Sequence, residues 1–232
     1  MLLTRLSVSS PMSTSTMKQS SRATLLAAGG GVLGLALLVG FAVGLPEIVG
    51  NEEGVAGPQV EDLAPLPESL PGDLLSLLSP DMPTEVVEQS GGVEALTEIV
   101  ASGADNVATL YGAPAAFGIY AKADGSALVT VTVAPGEPGL FVPDGTPISP
   151  EAQGLERSTL VISDVEDGVC SVVYSQQVAP GQPVDPDELP GRVHCQLAAE
   201  GLLYDVTSQG LSLAETVEAG HTVLQEQVDA AG

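Results

Sequence analysis

The chain has 232 residues, which gives room for one ordinary domain with accessory segments. Its content of 44% hydrophobic and 16% charged residues is typical of a globular or membrane protein and not of a disordered one. Six basic residues stand against 30 acidic ones, for a net charge of −24. Because such a field repels phosphate groups, the composition excludes nucleic acid from the expected partners.

An uncharged segment at residues 23–45 dominates the N-terminal part of the chain. It is rich in Leu, Val, Ala and Gly, and it exceeds the roughly 20 residues that a bilayer-spanning helix needs. Residues 1–22 before it are basic, whereas every acidic residue of the chain follows it. Under the positive-inside rule, this asymmetry keeps the N-terminus in the cytoplasm and exports the rest. We therefore predict a single-pass signal anchor in the cell membrane, followed by an extracytoplasmic part.

Two further features of this segment leave alternatives open. The triplet Ala42-Val43-Gly44 offers a weak small-x-small cleavage pattern, so the alternative is secretion after removal of a signal peptide. Glycines at positions 30 and 34, and again at 40 and 44, have the G-x-x-x-G spacing that lets two membrane helices approach closely. This spacing permits a homodimer through the span, although glycine is common in membrane helices anyway.

Residues 46–72 contain five prolines among acidic residues and glycines. This composition resists compact folding and favours an extended, solvated chain, so we predict a stalk between the membrane and a domain at residues 73–232. The apolar cluster at residues 74–78 is expected to form one or two helical turns at the start of the domain.

The domain begins with a predicted helix and a predicted hairpin. Apolar residues at helical spacing indicate a helix at residues 92–102, with Ser90 as its cap and Gly103 just after its end. The dipeptide Asp124-Gly125 lies between two apolar runs, which is a strong hairpin signal. The strands of this hairpin are predicted at residues 115–122 and 127–133.

Further hairpin and helix signals complete the fold prediction. Ser212 and Glu215 form a capping box, which predicts that a last helix runs from there to about residue 228. The resulting fold is α+β, with about six strands in a mostly antiparallel sheet and two helices packed on one face. The second and third hairpins are predicted at residues 158–164 with 169–175, and at residues 192–197 with 202–207.

Cys170 and Cys195 are the two cysteines of the chain. Outside the cytoplasm, paired thiols normally oxidise, so we predict a disulfide between them. Strand alternation directs both side chains toward the core. A redox pair is disfavoured because the Cys-x-x-Cys spacing that lowers a thiol pKa is missing.

The sequence carries little that resembles a catalytic or metal site. Its two histidines are expected to be an exposed strand residue, His194, and a packed residue on the inner stripe of the last helix, His221. We find no nucleophile elbow, phosphate loop or H-E-x-x-H helix, and we predict no enzyme activity, cofactor or metal. Two acidic clusters could supply the oxygens that Ca²⁺ prefers, but solvated turns explain them as well. The clusters are Asp164, Glu166 and Asp167, and Asp185, Asp187 and Glu188.

A proline-rich stretch at residues 134–157 surrounds the apolar triplet Leu140, Phe141 and Val142. Long loops in compact domains tend to be functional or disordered, so we predict that this triplet contributes to a partner-binding surface. The competing interpretation is that Phe141 folds back over the sheet edge as part of the core.

The layout of basic start, membrane span, acidic stalk and small domain is typical of exported bacterial proteins. It predicts a membrane-tethered extracytoplasmic interaction module. The alternative is an exported domain that binds a small ligand in an apolar cavity, and a hydrolase ranks below both because no catalytic constellation supports it.

Overall fold

The computed structural model describes residues 63–136 and 147–231. They form eight strands and three α-helices, with a short 3-10 helix at Glu151–Gln153. The helices are α1 (Thr84–Gln89), α2 (Val93–Tyr111) and α3 (Leu213–Ala231). The strands are β1 (Ser69–Leu70), β2 (Leu74–Ser76), β3 (Ala116–Lys122), β4 (Leu128–Pro135), β5 (Leu160–Val165), β6 (Gly168–Val173), β7 (Arg192–Ala199) and β8 (Leu202–Gln209).

All eight strands belong to one antiparallel sheet, in the order β1-β2-β3-β4-β8-β7-β6-β5. This confirms the α+β class and the antiparallel sheet. The three predicted hairpins are β3–β4, β5–β6 and β7–β8, and each of their strands begins and ends within two residues of its predicted bounds. The sheet has two strands more than predicted, because β1 and β2 are too short to show an alternating pattern in the sequence.

The helices lie on opposite faces of the sheet, so the prediction that they share one face is wrong. Helix α3 covers the face that carries Val129, Val131 and Val133, where the larger core cluster lies. Helices α1 and α2 build a second cluster on the other face, around Leu96 and Ile119. The reason is that β3 and β4 carry apolar side chains on both faces, and both faces have to be covered.

Two glycines allow the long helices to approach the sheet closely. A methyl group placed at Gly220 in α3 would lie 2.6 Å from the Leu197 side chain, and one placed at Gly103 in α2 would lie 2.5 Å from the Phe117 ring. Gly103 therefore sits inside α2 as a packing residue, and the helix ends at Gly112, which has a φ of 65°. The predicted end of this helix at residue 102 is wrong, and so is Ser90 as its cap, because Gly92 holds that position.

The first described residues pack against the domain although they were predicted as the end of the stalk. Ala64 exchanges two backbone hydrogen bonds, of 2.9 and 2.8 Å, with the Gln227 side chain. Tyr120 donates to the Pro67 carbonyl at 2.9 Å, and Leu70 is buried. Residues 63–72 thus belong to the domain. Residues 74–76 form strand β2 and not the expected helical turn, because Leu75 pairs with Ala121 of β3.

Cys170 and Cys195 face each other on β6 and β7 and form a disulfide, as predicted. Both are fully buried in the larger core cluster. The bond closes a loop over a separation of 25 residues, which stabilises the domain by about 3 to 4 kcal/mol in the chain-entropy treatment.

Candidate functional site

The strand at one end of the sheet, β5, has an outer edge with which no described residue pairs. The backbone N–H of Tyr174 donates to the Thr159 carbonyl, just before the strand. This hydrogen bond shows which residues of β5 turn their backbone groups toward β6. In an antiparallel pair, every second residue turns its N–H and C=O toward the partner strand. The backbone groups of Leu160, Ile162 and Asp164 therefore point outward, away from β6.

A groove of about 870 Å³ lies between the end of β5 and helix α3. Its floor is apolar and includes Val165, Leu213 and Val217, while Glu166 and Glu218 lie at the rim. The remaining lining residues are Ala214, His221, Thr222 and Gln225. Because these helix residues recur every three to four positions from 213 to 225, the groove follows one flank of α3 for about 18 Å.

Side-chain bonds at the start of α3 fix the helix that forms one wall of this groove. Glu215 accepts a hydrogen bond from the Ser212 backbone N–H at 2.8 Å, and the Ser212 hydroxyl accepts one from the Glu215 N–H at 3.3 Å. This is the predicted capping box. The Ser212 N–H and hydroxyl hold the pKa of Glu215 below its usual range. Thr216 and Ser208, both buried, share a further hydrogen bond of 2.6 Å that ties the helix to β8.

The groove is acidic, and no Lys or Arg belongs to its lining. His221 lies on the groove with its Nε2 atom 3.2 Å from the Glu166 carbonyl and 3.9 Å from the Asp167 carboxylate. It was predicted as a packed residue, but its side chain is about one-third exposed. The sequence places His221 on the inner stripe of the helix, but it does not show that the helix flank beside the end of β5 stays partly open.

The opposite face of the sheet carries a polar cluster around His194. The His194 Nε2 atom lies 2.7 Å from the Asp205 carboxylate, which Gln196 also contacts at 3.3 Å. His194 points away from the face of its neighbour Cys195, which lies in the core cluster on the α3 side. The prediction that it is exposed is wrong, because His194 retains 7% of its accessible surface.

Ser171 lies directly opposite His194 in the β6–β7 register, so Ser, His and Asp side chains share one sheet face. A nucleophilic serine needs a hydrogen bond to its base and access to substrate. The Ser171 hydroxyl is buried and makes no hydrogen bond with any described group. Among the described residues, Ser171 and His194 are therefore not joined by the hydrogen bond that links a nucleophile to its base.

The two acidic clusters behave as turns in this structure. Asp185 caps the backbone N–H of Asp187 at 2.9 Å, and Glu188 pairs with Arg157 at 2.8 Å. Asp164 and Glu166 are exposed beside the β5–β6 turn. Within residues 63–136 and 147–231, no group of three or more acidic, His or Cys side chains is arranged to hold a metal ion.

Four other predicted features lie outside the described residues. They are the basic N-terminus at 1–22, the membrane span at 23–45, the stalk over residues 46–62, and the apolar triplet Leu140, Phe141 and Val142, whose role in partner binding stays a prediction. In the described part of the chain, none of the helices combines the length and the apolar character that crossing a membrane requires.

Comparison of the chain with protein-family models, with curated proteins and with solved structures found no match. The groove, the open sheet edge and their charge are the features of the described residues that bear on function.

Proposed function

We propose that this protein is a membrane-tethered interaction module whose extracytoplasmic domain docks a partner protein in the groove between β5 and α3. The observation that carries the proposal is the groove itself, with its apolar floor and acidic rim at Glu166 and Glu218. Grooves of this kind, in which an apolar centre is surrounded by polar groups, are typical of binding sites.

The shape of the groove favours a macromolecular partner over a small ligand. A drug-sized ligand is usually enclosed over most of its surface, whereas this groove is open along one helix flank for about 18 Å. The tether is a prediction from the sequence, in which the uncharged segment at residues 23–45 precedes the acidic, proline-rich segment that leads to the domain. No catalytic step is part of the proposal.

The test is a pair of matched substitutions on α3 in the full-length chain. Ala214 is exposed and lines the groove, whereas Ala230 is exposed on the same helix and does not line it. Replacing either residue with Arg adds the same charge to the same helix. We expect Ala214→Arg to lower recovery of the partner at least tenfold, which corresponds to about 1.4 kcal/mol of binding free energy. Ala230→Arg should leave recovery unchanged.

The partner itself is identified by a photo-crosslinking amino acid at position 214, with position 230 as control, in cells that express the chain. A defined protein crosslinked from position 214 and not from 230, and lost from the complex in Ala214→Arg, would support the proposal. Equal recovery with both Arg variants, at unchanged melting temperature, would overturn it.

A further inference from the structure

The outer edge of β5 lies directly beside the groove and is open along its whole length among the described residues. Proteins usually protect a sheet edge, because unpaired N–H and C=O groups invite another strand to pair. Common protective devices are a very short strand, a proline, or several charged side chains. β5 has six residues, no proline, and a single charge at Asp164. The other end of the sheet differs, since β1 has two residues.

The side chains of β5 connect this edge to the groove. Val161, Ser163 and Val165 project on the α3 side of the sheet, and Val165 lines the groove. A strand added to β5 would place every second side chain on that same side, next to these three residues. The edge would supply backbone hydrogen bonds, and the groove would receive alternate side chains, which is how peptides bind by strand addition.

We propose that the partner binds as an added β-strand on β5, through an extended segment that alternates apolar and basic residues. This inference rests on the proposed function, because it concerns the same groove. Apolar side chains on the α3 side meet Val161 and Val165. Basic side chains, which alternate with them, project on the far side of the strand and complement Asp164 there.

Charge also distinguishes such a partner from a second copy of the chain. Two β5 strands paired in parallel and in register would set Asp164 of one copy beside Asp164 of the other, and any pairing would bring together two chains that each carry a net charge of −24. Like charges facing each other across a pair of strands are destabilising. Because the lining holds no Lys or Arg to offset them, the edge selects a basic segment of another protein.

The probe is a synthetic nine-residue peptide with Val or Leu at odd positions and Lys or Thr at even positions, titrated into the full-length chain. We expect binding to slow hydrogen exchange at the outward-facing amides of Leu160, Ile162 and Asp164. A peptide with Glu in place of Lys should bind at least tenfold more weakly. Protection confined to α3, or equal affinity of the Glu peptide, would overturn the proposal.

Backbone methylation of the peptide tests strand addition without changing the protein. In an added strand only alternate amides face β5. Methylating one alternate set of peptide nitrogens should therefore reduce affinity at least tenfold, while methylating the other set should be tolerated. Equal affinity of the two methylated peptides would overturn strand addition.

Asp164 supplies a matched pair of protein variants. Its N–H points outward, so Asp164→Pro removes one outward donor and leaves the β5–β6 ladder intact. Asp164→Ala removes the same carboxylate and keeps the N–H. We expect the peptide to bind Asp164→Pro at least tenfold more weakly than Asp164→Ala, and equal binding at equal melting temperature would argue against strand addition. If the two Asp164 variants bound equally but Ala214→Arg still lowered partner recovery at least tenfold, the proposed function would remain supported and only strand addition would be excluded.

Discussion

Two buried tyrosines differ in whether the hydroxyl group has a hydrogen-bond partner, and this difference gives their hydroxyls opposite effects on stability. Tyr204 is fully buried in the larger core cluster, and its hydroxyl has no hydrogen-bond partner among the described groups. Tyr120 is equally buried, but its hydroxyl donates to the Pro67 carbonyl at 2.9 Å. An unsatisfied buried polar group is destabilising, whereas a satisfied one makes a small net contribution.

We therefore expect Tyr204→Phe to raise the free energy of unfolding by about 1 kcal/mol at neutral pH, and Tyr120→Phe to lower it by about 1 kcal/mol. Urea denaturation of the full-length, oxidised chain measures both values. A loss of stability in Tyr204→Phe comparable to that in Tyr120→Phe would contradict this account of the core.

The buried hydroxyl of Tyr204 also predicts how the free energy of unfolding depends on pH. Burial, with a smaller contribution from Glu200, raises the pKa of Tyr204 to about 12 from its ordinary value of 10.0. Since the folded state holds this proton more tightly, its contribution to stability is present below pH 10 and is lost between about pH 10 and pH 12. The loss is about 1.4 kcal/mol per pH unit. Tyr204→Phe should therefore flatten the decline of stability in that window.

At the level of elements, the start of α3 depends on a local motif of two residues. Ser212 and Glu215 satisfy each other's backbone N–H groups. Replacing an N-cap serine with alanine usually costs about 1 kcal/mol. We expect Ser212→Ala to lower the free energy of unfolding by that amount in urea denaturation. Ser175→Ala, at an exposed loop position, should change it by less than about 0.5 kcal/mol.

The capping box also predicts how the free energy of unfolding changes at acidic pH. Because the pKa of Glu215 is lowered in the folded state, its stabilising contribution is present at neutral pH. It is lost as the pH falls through that lowered pKa. Glu215→Gln should therefore remove part of the acid sensitivity that the native chain shows below about pH 4.5. An unchanged acid profile would mean that the capping box does not form in solution.

Elements with a strong local signal were predictable from the sequence, and those set by tertiary contacts were not. The capping box and the Asp124-Gly125 turn each form through hydrogen bonds between residues that are close in the sequence. For this reason α3 begins where expected, and the β3–β4 hairpin forms at the predicted turn. Strand β2 forms only because Leu75 lies beside Ala121. In the sequence, Gly103 is typical of a helix end. It lies inside α2 because it packs against the Phe117 ring, which belongs to β3 and cannot be recognised as its neighbour from the sequence.

The candidate site was also only partly predictable. The hairpin pattern predicted β5, although the predicted strand ended one residue before Val165, and the capping box predicted the start of α3. The sequence does not reveal that β5 is the last strand of the sheet or that α3 covers β7 and β8. The groove forms because α3 packs on β7 and β8 and leaves space beside the end of β5. The nearest sequence signal was the acidic cluster at Asp164, Glu166 and Asp167, which was interpreted as a turn.

For the whole molecule, the distribution of charge is the basis of the predicted topology. Arg5, Lys18 and Arg22 precede the uncharged segment, and all 30 acidic residues follow it. Under the positive-inside rule, this asymmetry predicts a cytoplasmic N-terminus and a groove outside the cytoplasm, where a disulfide persists. The proposed docking function requires that orientation, because an extracytoplasmic partner has to reach β5.

A glutamate-specific protease applied to intact, wall-stripped cells tests this orientation. Glu47, Glu52 and Glu53 lie between the predicted span and the domain, in a proline-rich segment whose composition favours solvated, cleavable chain. We expect cleavage there to release the domain, with its core held by the Cys170–Cys195 bond. A cytoplasmic marker protein should stay intact, and detergent-lysed cells should show that the protease is active. Full protection of the domain in intact cells, with cleavage after lysis, would place it on the cytoplasmic side and remove the basis for an extracytoplasmic partner.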